Sequence, residues 1–305
     1  MPVVSLPDQS WIDAVGALDG VHLVAWDLTG PPPVPVIDVV VPPYLRPVSQ
    51  LVALSGLSSL RVVQLLTAGY ETAVEYLPPG VVLANASGVH DDSTAELGVA
   101  LALALLRGIP DFVRSQERAT WLRAGIRTSL ADRRALVVGY GSVGRAVAER
   151  LVAFKASVTA VASGARAGDD LVDSVHAVDE LPSLLPQHDL VVVVTPLTEA
   201  TRHLVNEEFL SALPDGALVV NIARGGVADT EAMVRHAGRL LFGLDVTEPE
   251  PLPDGHPLWS APGVLISPHV GGASTAFAPR AVELLRAQLT RIAAGVPPMY
   301  VVATG

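Results

Sequence analysis

The fold of this chain is decided by Ala135-Leu136-Val137-Val138-Gly139-Tyr140-Gly141-Ser142-Val143-Gly144, a stretch in which a short apolar run leads into three closely spaced glycines. The apolar run reads as a buried strand, and residues 145–154 read as a helix. In such a unit the first glycine makes a tight turn, the second lets the backbone approach a pyrophosphate, and the third allows close helix–strand packing. The N–H groups that begin the helix favour phosphate. The stretch therefore predicts a dinucleotide-binding turn.

Apolar runs rich in β-branched residues recur on both sides of this turn, with helical patterns between them. Downstream runs cover 158–161, 190–194, 217–221, 241–245 and 264–267, and with residues 135–138 they supply the six strands of a doubly wound domain. Upstream runs cover 22–26, 37–41, 61–66 and 81–84. This alternation of strands and helices predicts right-handed crossovers and parallel sheets.

The predicted fold class is therefore α/β, with two doubly wound parallel-sheet domains. We expect a Rossmann cofactor domain, residues 93–274, to be inserted in a flavodoxin-like substrate domain made of residues 1–92 and 275–305. The insertion follows from the last helical pattern, about residues 276–294, which we expect to return to the N-terminal domain. A buried helix is predicted over residues 93–106, with Asp92 or Ser93 as its N-cap.

Composition excludes several classes of function. The 305 residues suffice for two domains, and 50% of them are hydrophobic, which fits buried sheets rather than disorder. A formal net charge of −11 argues against a nucleic-acid partner and against an anionic membrane surface. The longest apolar run, 97–106, is too short to span a bilayer, and no positive signal-peptide region is present, so we expect a cytoplasmic protein. The lack of cysteine excludes disulfides and thiolate chemistry, and no metal site is expected.

The end of the second strand in the cofactor domain bears on which dinucleotide binds. In NAD-binding domains an acidic residue about 20 positions after the glycines binds the ribose 2′-OH. Here the stretch is Val161-Ala162-Ser163-Gly164-Ala165-Arg166, and no acid occurs before Asp169. Without that carboxylate a 2′-phosphate is not repelled, and Ser163 and Arg166 could hold it. On the other reading Arg166 is a solvated loop residue. We expect NADP(H) to be preferred, with NAD(H) as the alternative.

Four further motifs, together with the glycine turn, carry a resemblance to a known family. They are Thr195-Pro196-Leu197-Thr198 with residues 201–206, residues 221–225, residues 245–253, and Ser267-Pro268-His269-Val270-Gly271-Gly272. Over about residues 60–274 the chain resembles the D-isomer-specific 2-hydroxyacid dehydrogenases, and residues 1–60 resemble them in pattern only. The resemblance implies hydride transfer between nicotinamide C4 and C2 of a small 2-keto or 2-hydroxy acid, with glyoxylate or hydroxypyruvate as examples. It also implies a homodimer that pairs through residues 93–127.

The same resemblance implies a catalytic Arg, Glu and His. Arg224 matches the residue that binds the substrate carboxylate and carbonyl oxygen, a task suited to a planar, permanently charged guanidinium. His269 matches the acid/base, which gives a proton to the carbonyl oxygen in reduction and takes it back in oxidation. Glu250 matches the acid that orients His269 and sets its tautomer. Glu248 also precedes a proline and is the alternative for that role.

Binding residues are implied as well. Asp245 matches the residue that helps to hold the nicotinamide carboxamide. Backbone N–H groups of Ala68, Gly69 and Tyr70 match those that bind the substrate carboxylate, and Glu71 stands where the family often has Asp or Asn. The remaining cofactor-binding candidates are Gly139, Tyr140, Gly141, Ser142, Val143, Gly144, Thr195, Pro196, Ala223 and Gly271, and His90 is a reserve candidate near the site.

Two other functions remain open at this point. A dinucleotide-sensing, non-catalytic binding protein could keep every motif, and fold alone does not decide between sensor and enzyme. A phosphite or formate dehydrogenase could use the same scaffold. Glu250 fits 2-hydroxy acids better than formate, because the formate enzymes of the family replace that Glu with Gln.

Overall fold

The computed structural model describes residues 1–305 and divides the chain into two units. One unit comprises Met1–His90 and Thr275–Gly305, and the other comprises Asp91–Ser274. The first change between units thus falls two residues before the one expected after residue 92, and the second falls between residues 274 and 275.

The chain forms fourteen strands and eight α-helices. The strands are β1 Val3–Leu6, β2 His22–Ala25, β3 Val39–Val40, β4 Val62–Gln64, β5 Val82–Ala84, β6 Arg134–Val138, β7 Ser157–Ala162, β8 Arg166–Ala167, β9 Ser174–Ala177, β10 Leu190–Val193, β11 Leu218–Asn221, β12 Leu241–Leu244, β13 Val264–Ile266 and β14 Val301–Thr304. The helices are α1 Gln9–Val15, α2 Asp91–Arg107, α3 Ile109–Glu117, α4 Ser142–Ala153, α5 Leu181–Leu184, α6 Glu207–Ala212, α7 Thr230–His236 and α8 Phe277–Ala293. None of them combines the length and hydropathy that a membrane crossing requires.

The first unit contains a six-stranded sheet in the order β14-β5-β4-β3-β1-β2. Its five N-terminal strands are parallel, and their order is that of flavodoxin-like folds. Strand β14 pairs antiparallel with β5. Neither β1 nor β14 was expected from the sequence, because each is only four residues long and lies near a chain terminus, where the flanking pattern is lost.

The second unit contains an eight-stranded sheet in the order β13-β12-β11-β10-β6-β7-β9-β8. The chain runs outward in one direction through β6, β7 and β9 and in the other through β10 to β13, so the order reverses between β6 and β10. This is the topological switch point at which doubly wound sheets bind ligands. The predicted doubly wound fold is confirmed for both units.

Eight strands, rather than the six expected, make up this second sheet. The additional strands β8 and β9 form an antiparallel hairpin in which Arg166 pairs with Val175, so Arg166 lies in a short strand and not in a loop. The sequence pattern missed them because β8 has two residues and β9 mixes a serine and a histidine with its apolar residues.

Helix starts also differ from expectation. Helix α2 begins at Asp91, so Asp92 and Ser93 lie in its first turn and do not cap it. Asp92 instead accepts a hydrogen bond of 3.0 Å from Arg150 of α4. Helix α4 begins at Ser142, inside the glycine turn, rather than at residue 145. Its first N–H groups therefore belong to the turn itself.

Candidate active site

The candidate active-site residues of the second unit follow the ends of neighbouring parallel strands. Loops after β6, β10, β11, β12 and β13 carry, in that order, the glycine turn, Thr195, Arg224, Asp245 and His269. These five strands are adjacent in the sheet, and parallel strands end at the same edge. The topology thus collects residues that are up to 130 positions apart (139 to 269) in sequence.

The glycine turn has the shape that a pyrophosphate requires. Gly139 has a φ of 105°, and a Cβ there would lie 2.8 Å from the backbone nitrogen of Thr195. A Cβ on Gly144 would collide with the carbonyl oxygen of Gly139, so the helix packs closely on the strand. Beside Gly141 the space is open, and a Cβ would meet nothing within 4 Å. Open space next to the start of α4, where Ser142 and Val143 present backbone N–H groups, fits a phosphate group.

Thr195 adds a second observation in favour of a bound dinucleotide. Its hydroxyl oxygen is buried and has no hydrogen-bond partner in the chain. Buried polar groups ordinarily have partners, so this orphaned hydroxyl beside Gly139 fits a ligand that supplies one. Pro196 is exposed next to it, and Ala223 is buried at the end of β11. The residues present therefore fit a dinucleotide.

At the far end of the turn, Ser163 and Arg166 are both exposed. Arg166 donates a hydrogen bond to the carbonyl oxygen of Tyr140, and its Cζ lies 6.0 Å from the centre of the Tyr140 ring. Asp169, the first acid after this segment, accepts from the Tyr140 hydroxyl instead of pairing with Arg166.

His269 and Glu250 form a close side-chain pair in the site. His269 Nδ1 lies 2.6 Å from Glu250 Oε1, and both side chains are nearly half exposed. An ionised carboxylate only accepts hydrogen bonds, so Nδ1 carries the proton of the neutral ring. The basic nitrogen is then Nε2, which is left to exchange a proton with a substrate.

The loop that carries His269 is anchored by Asp245, which is buried at the end of β12. Asp245 Oδ1 accepts from the Ser267 hydroxyl at 2.7 Å and from Val270 N–H at 2.9 Å, and Oδ2 accepts from Gly271 N–H at 2.8 Å. The N–H of His269 donates to the Asp245 carbonyl oxygen at 2.8 Å. A Cβ on Gly271 would come within 2.9 Å of that carboxylate, so only glycine packs here without displacing it. Asp245 thus positions the imidazole, and its contact with the carboxamide stays a prediction.

Glu248, the alternative partner for His269, points elsewhere. Its carboxylate lies 2.9 Å from Arg202 Nη1 and 2.9 Å from His203 Nε2. The hydrogen bond from His203 holds the pKa of Glu248 below its usual range, and Arg202 contributes in the same direction. Of the two acids that precede a proline, Glu250 is therefore the one beside the imidazole.

Arg224 ends a turn that is held by Asn221. The side chain of Asn221 accepts from Ala223 N–H at 3.0 Å and donates to the Arg224 carbonyl oxygen at 3.1 Å. One guanidinium nitrogen of Arg224 donates to the Ala223 carbonyl oxygen at 2.7 Å. A Cβ on Gly225 would collide with the Thr247 backbone, so the Arg224 turn packs directly on the loop that leads to Glu250.

In the first unit, side-chain hydrogen bonds hold the loop that is expected to bind the substrate carboxylate. Asn85 Nδ2 donates to the Ala68 carbonyl oxygen at 2.7 Å, and Thr67 Oγ1 donates to the Gly69 carbonyl oxygen at 2.7 Å. The N–H of Tyr70 donates to Glu71 Oε2 at 2.9 Å. Hydrogen bonds therefore hold the carbonyl groups of this loop, and its Tyr70 N–H is engaged by Glu71, the residue that departs from the family pattern.

His90, the reserve candidate, is a packed residue. Its Nε2 lies 2.8 Å from the Leu66 carbonyl oxygen, and its ring stacks on Phe277 with 5.2 Å between ring centres. The side chain is buried, so within the first unit His90 braces the strand end that precedes the Ala68 loop.

Sequence reasoning missed three supporting residues, namely Asn85, Asn221 and Ser267. Each is a polar residue at or just beyond the end of a parallel strand, which is where doubly wound folds place their binding residues. That position was the available signal, although it does not tell which backbone groups the side chains would hold. No group of three or more His, Cys, Asp or Glu side chains in the chain could hold a metal ion.

Comparisons with known proteins agree with this geometry. A family model described as "D-isomer specific 2-hydroxyacid dehydrogenase, NAD binding domain" matches residues 99–271. The hydroxypyruvate reductase of Thermotoga maritima is 34% identical over 211 residues, which is 67% of this chain and 67% of that one. The glyoxylate reductase of Thermococcus onnurineus is 33% identical over 261 residues, covering 79% of this chain and 76% of the relative.

Two solved structures are similar over nearly the whole chain. A D-isomer specific 2-hydroxyacid dehydrogenase from Xanthobacter autotrophicus, in complex with NADPH and MES, superposes with a TM-score of 0.80 at 29% identity, covering 99% of this chain and 98% of that one. An NADPH-dependent glyoxylate/hydroxypyruvate reductase from Sinorhizobium meliloti, in complex with NADP and malonate, gives a TM-score of 0.77 at 25% identity, covering 99% and 97%. The matched span and the identities confirm the resemblance found in the sequence motifs. The chain belongs to the D-isomer-specific 2-hydroxyacid dehydrogenase family and is an NAD(P)-dependent oxidoreductase that acts on 2-hydroxy acids.

Proposed function

We propose that this enzyme is an NADP(H)-preferring reductase of small 2-keto acids, with glyoxylate and hydroxypyruvate as the first substrates to test. The observation that carries the proposal is the 2.6 Å contact between His269 Nδ1 and Glu250 Oε1, because an oriented imidazole is what proton transfer to a carbonyl oxygen needs. The substrates follow from the relatives, which include a hydroxypyruvate reductase and glyoxylate reductases.

In this mechanism the protein supplies charge, orientation and a proton. The bound nicotinamide supplies the hydride, or accepts it in the reverse direction. Arg224 offers a planar pair of donors to the substrate carboxylate and carbonyl oxygen, and its positive charge stabilises the negative charge that develops on that oxygen. Protonated His269 gives its Nε2 proton to the oxygen, and the Glu250 carboxylate stabilises the protonated ring and keeps Nδ1 as the donor that faces it.

Substrate anchoring by the Ala68, Gly69 and Tyr70 N–H groups, in which the Tyr70 N–H exchanges the Glu71 carboxylate for that of the substrate, and the preference for NADP(H) belong to the same proposal. Support for the cofactor preference comes from Arg166, which forms no ion pair with a carboxylate, and from the absence of an acid between Val161 and Gly168. The relatives from Xanthobacter autotrophicus and Sinorhizobium meliloti were solved with NADPH and NADP.

The proposal includes a homodimer and a cytoplasmic location. Large apolar side chains are exposed along α3 and the segment after it, which supports a partner on that face. Cell fractionation checks the location.

The test is initial-rate consumption of NADPH and of NADH with glyoxylate, hydroxypyruvate, pyruvate and phenylpyruvate. We expect kcat/KM to favour NADPH by about tenfold or more. His269→Ala is expected to lower kcat by about 10²–10⁴-fold and Glu250→Gln by about 10²-fold, while dinucleotide binding persists. The matched control is His22→Ala, an exposed histidine of the first unit, which should leave kcat unchanged.

Three results would count against the proposal, each on a different part. An NADH preference removes the role of Arg166 but leaves the enzyme. Unchanged turnover in His269→Ala removes the proposed acid/base. Dinucleotide binding without turnover of any of the four acids favours a sensor or a different substrate.

A further inference from the structure

Behind the glycine turn lies a polar cluster that the proposed mechanism uses only in part. It comprises Tyr140, Arg145, Arg166, Asp169 and Asp170, and is called the Tyr140 cluster below. The Tyr140 ring is buried, and it reaches from the glycine turn to the segment that links β8 and β9. There its hydroxyl donates to both carboxylate oxygens of Asp169, each at 3.0 Å.

Asp169 is held by several donors at once. Besides Tyr140, it accepts from Leu171 N–H at 2.9 Å and from Val172 N–H at 3.3 Å, and Arg145 Nε lies 3.3 Å from its Oδ2. The Leu171 N–H is the main cause that holds the pKa of Asp169 below its ordinary value. Burial and the Asp169 carboxylate raise the pKa of Tyr140 to about 12, so the hydroxyl keeps its proton and remains the donor.

The charges within the Tyr140 cluster are distributed unequally. Arg145 forms ion pairs with both Asp169 and Asp170, since its Nη2 lies 2.6 Å from Asp170 Oδ1 in addition to the contact of its Nε with Asp169. Arg166, by contrast, forms no ion pair with either carboxylate. It donates to the carbonyl oxygen of Tyr140, and its guanidinium lies over the face of the Tyr140 ring. The positive charge of Arg145 is therefore paired with two carboxylates, whereas that of Arg166 is paired with none.

This distribution matters because of where Asp169 stands in the sequence. It is the first acid after β7, and a carboxylate in this part of a dinucleotide domain binds ribose hydroxyls and repels a 2′-phosphate. We propose that Tyr140, together with Arg145, holds Asp169 away from Arg166 and thereby sets the preference for NADPH over NADH. Tyr140 is then a positioning residue for cofactor choice, in addition to being part of the turn. The inference rests on the proposed NADPH preference and the role of Arg166 in it.

Tyr140→Phe isolates this role, because it removes the hydroxyl and keeps the ring under Arg166. Without the Tyr140 hydroxyl, Asp169 keeps its contacts with Leu171 N–H, Val172 N–H and Arg145 but loses one of the two side chains that hold it away from Arg166, so its carboxylate gains freedom to turn toward Arg166 or the cofactor. We expect the ratio of NADPH to NADH affinity to fall by about tenfold, through weaker NADPH binding with NADH binding unchanged within about twofold. The readout is the dissociation constant of each cofactor, measured by titration calorimetry without substrate, and the ratio of kcat/KM values is a second readout.

A double variant separates positioning from a merely structural role. Asn at position 169 carries no charge, so Tyr140→Phe combined with Asp169→Asn should return the affinity ratio to within about twofold of wild type. If Tyr140→Phe weakens both cofactors equally, leaves the ratio unchanged, or is not rescued by Asp169→Asn, the inference is wrong. If Tyr140→Phe does not fold, Arg145→Gln is the second test, because Arg145 is the other side chain that holds Asp169 and it is more exposed than Tyr140. It is measured with and without Asp169→Asn, and the same outcomes apply.

Failure of the proposed function has a different signature. A wild type that does not prefer NADPH, or an Arg166→Gln variant that leaves the affinity ratio unchanged, contradicts the role of Arg166 itself. Loss of preference in Arg166→Gln but not in Tyr140→Phe keeps that role and overturns only the inference about Tyr140.

Discussion

At the scale of single residues, left-handed backbone geometry marks His269 and Lys155 for different reasons. His269 has a φ of 53°, a conformation that costs about 1–3 kcal/mol for a residue with a Cβ atom. Hydrogen bonds from its N–H to the Asp245 and Ser267 carbonyl oxygens stabilise this conformation. In this conformation the imidazole lies within hydrogen-bond distance of Glu250. Lys155, with a φ of 64°, has no such use, because it only follows the end of α4.

Lys155 is therefore a site where glycine should stabilise the protein. The position just past a helix end favours glycine. Relief of the strain outweighs the extra freedom that glycine gains in the unfolded chain, so we expect Lys155→Gly to raise the free energy of unfolding by about 0.5–1 kcal/mol. Urea unfolding measures it. Lys155→Ala is the control, since it removes the charge but keeps the Cβ, and equal stability of the two variants would contradict the argument.

At the scale of elements, the loop that carries Glu250 is fixed by residues outside the proposed catalytic set. Arg202 and His203 hold the Glu248 carboxylate, and Thr230 Oγ1 donates to the Glu248 carbonyl oxygen at 2.6 Å. Glu250 is two positions further on. Its distance from His269 therefore depends on how firmly these contacts hold the loop.

Glu248→Gln is expected to loosen that loop, with a pH-dependent effect on stability. Because the folded-state pKa of Glu248 is lowered by His203 and Arg202, its stabilising contribution is present above the unfolded pKa of about 4.3 and is lost as pH falls through the folded value. Wild type should thus exceed Glu248→Gln in unfolding free energy at pH 7, and the difference should shrink as pH falls below the unfolded pKa and vanish once pH is below the lowered folded-state pKa. At pH 7 kcat should fall by up to about tenfold. Glu199→Gln, an exposed acid on a nearby loop, is the control.

Elements also show what the sequence could and could not predict. Long apolar runs such as Ala135 to Val138 predicted the central strands, because a buried parallel strand is apolar on both faces. The β8–β9 hairpin was not predicted, because a two-residue strand has no detectable period. The position of Arg166 in that hairpin was therefore not predicted either. The sequence motifs identified Glu250 and His269 as candidate catalytic residues. The anchoring of the His269 loop by Asp245 could not be predicted, because only the fold brings β12 and the residues after β13 together.

At the scale of the whole molecule, an exposed apolar face predicts the assembly. Trp121 and Ile126, in the segment after α3, have exposed fractions of 90% and 102%, and Ile109 and Val113 of α3 are also exposed. Exposed apolar patches of this kind mark interaction surfaces, and a net charge of −11 on each copy opposes pairing except where apolar contact outweighs it.

We expect wild type to sediment as a dimer that tightens as salt screens the repulsion, with a screening length of about 10 Å at 0.1 M. Trp121→Glu with Ile126→Glu should yield a monomer, whereas Val152→Glu, an exposed apolar residue of α4, should not. A wild type that stays monomeric at every concentration would contradict the homodimer, and a double variant that stays dimeric would place its interface elsewhere.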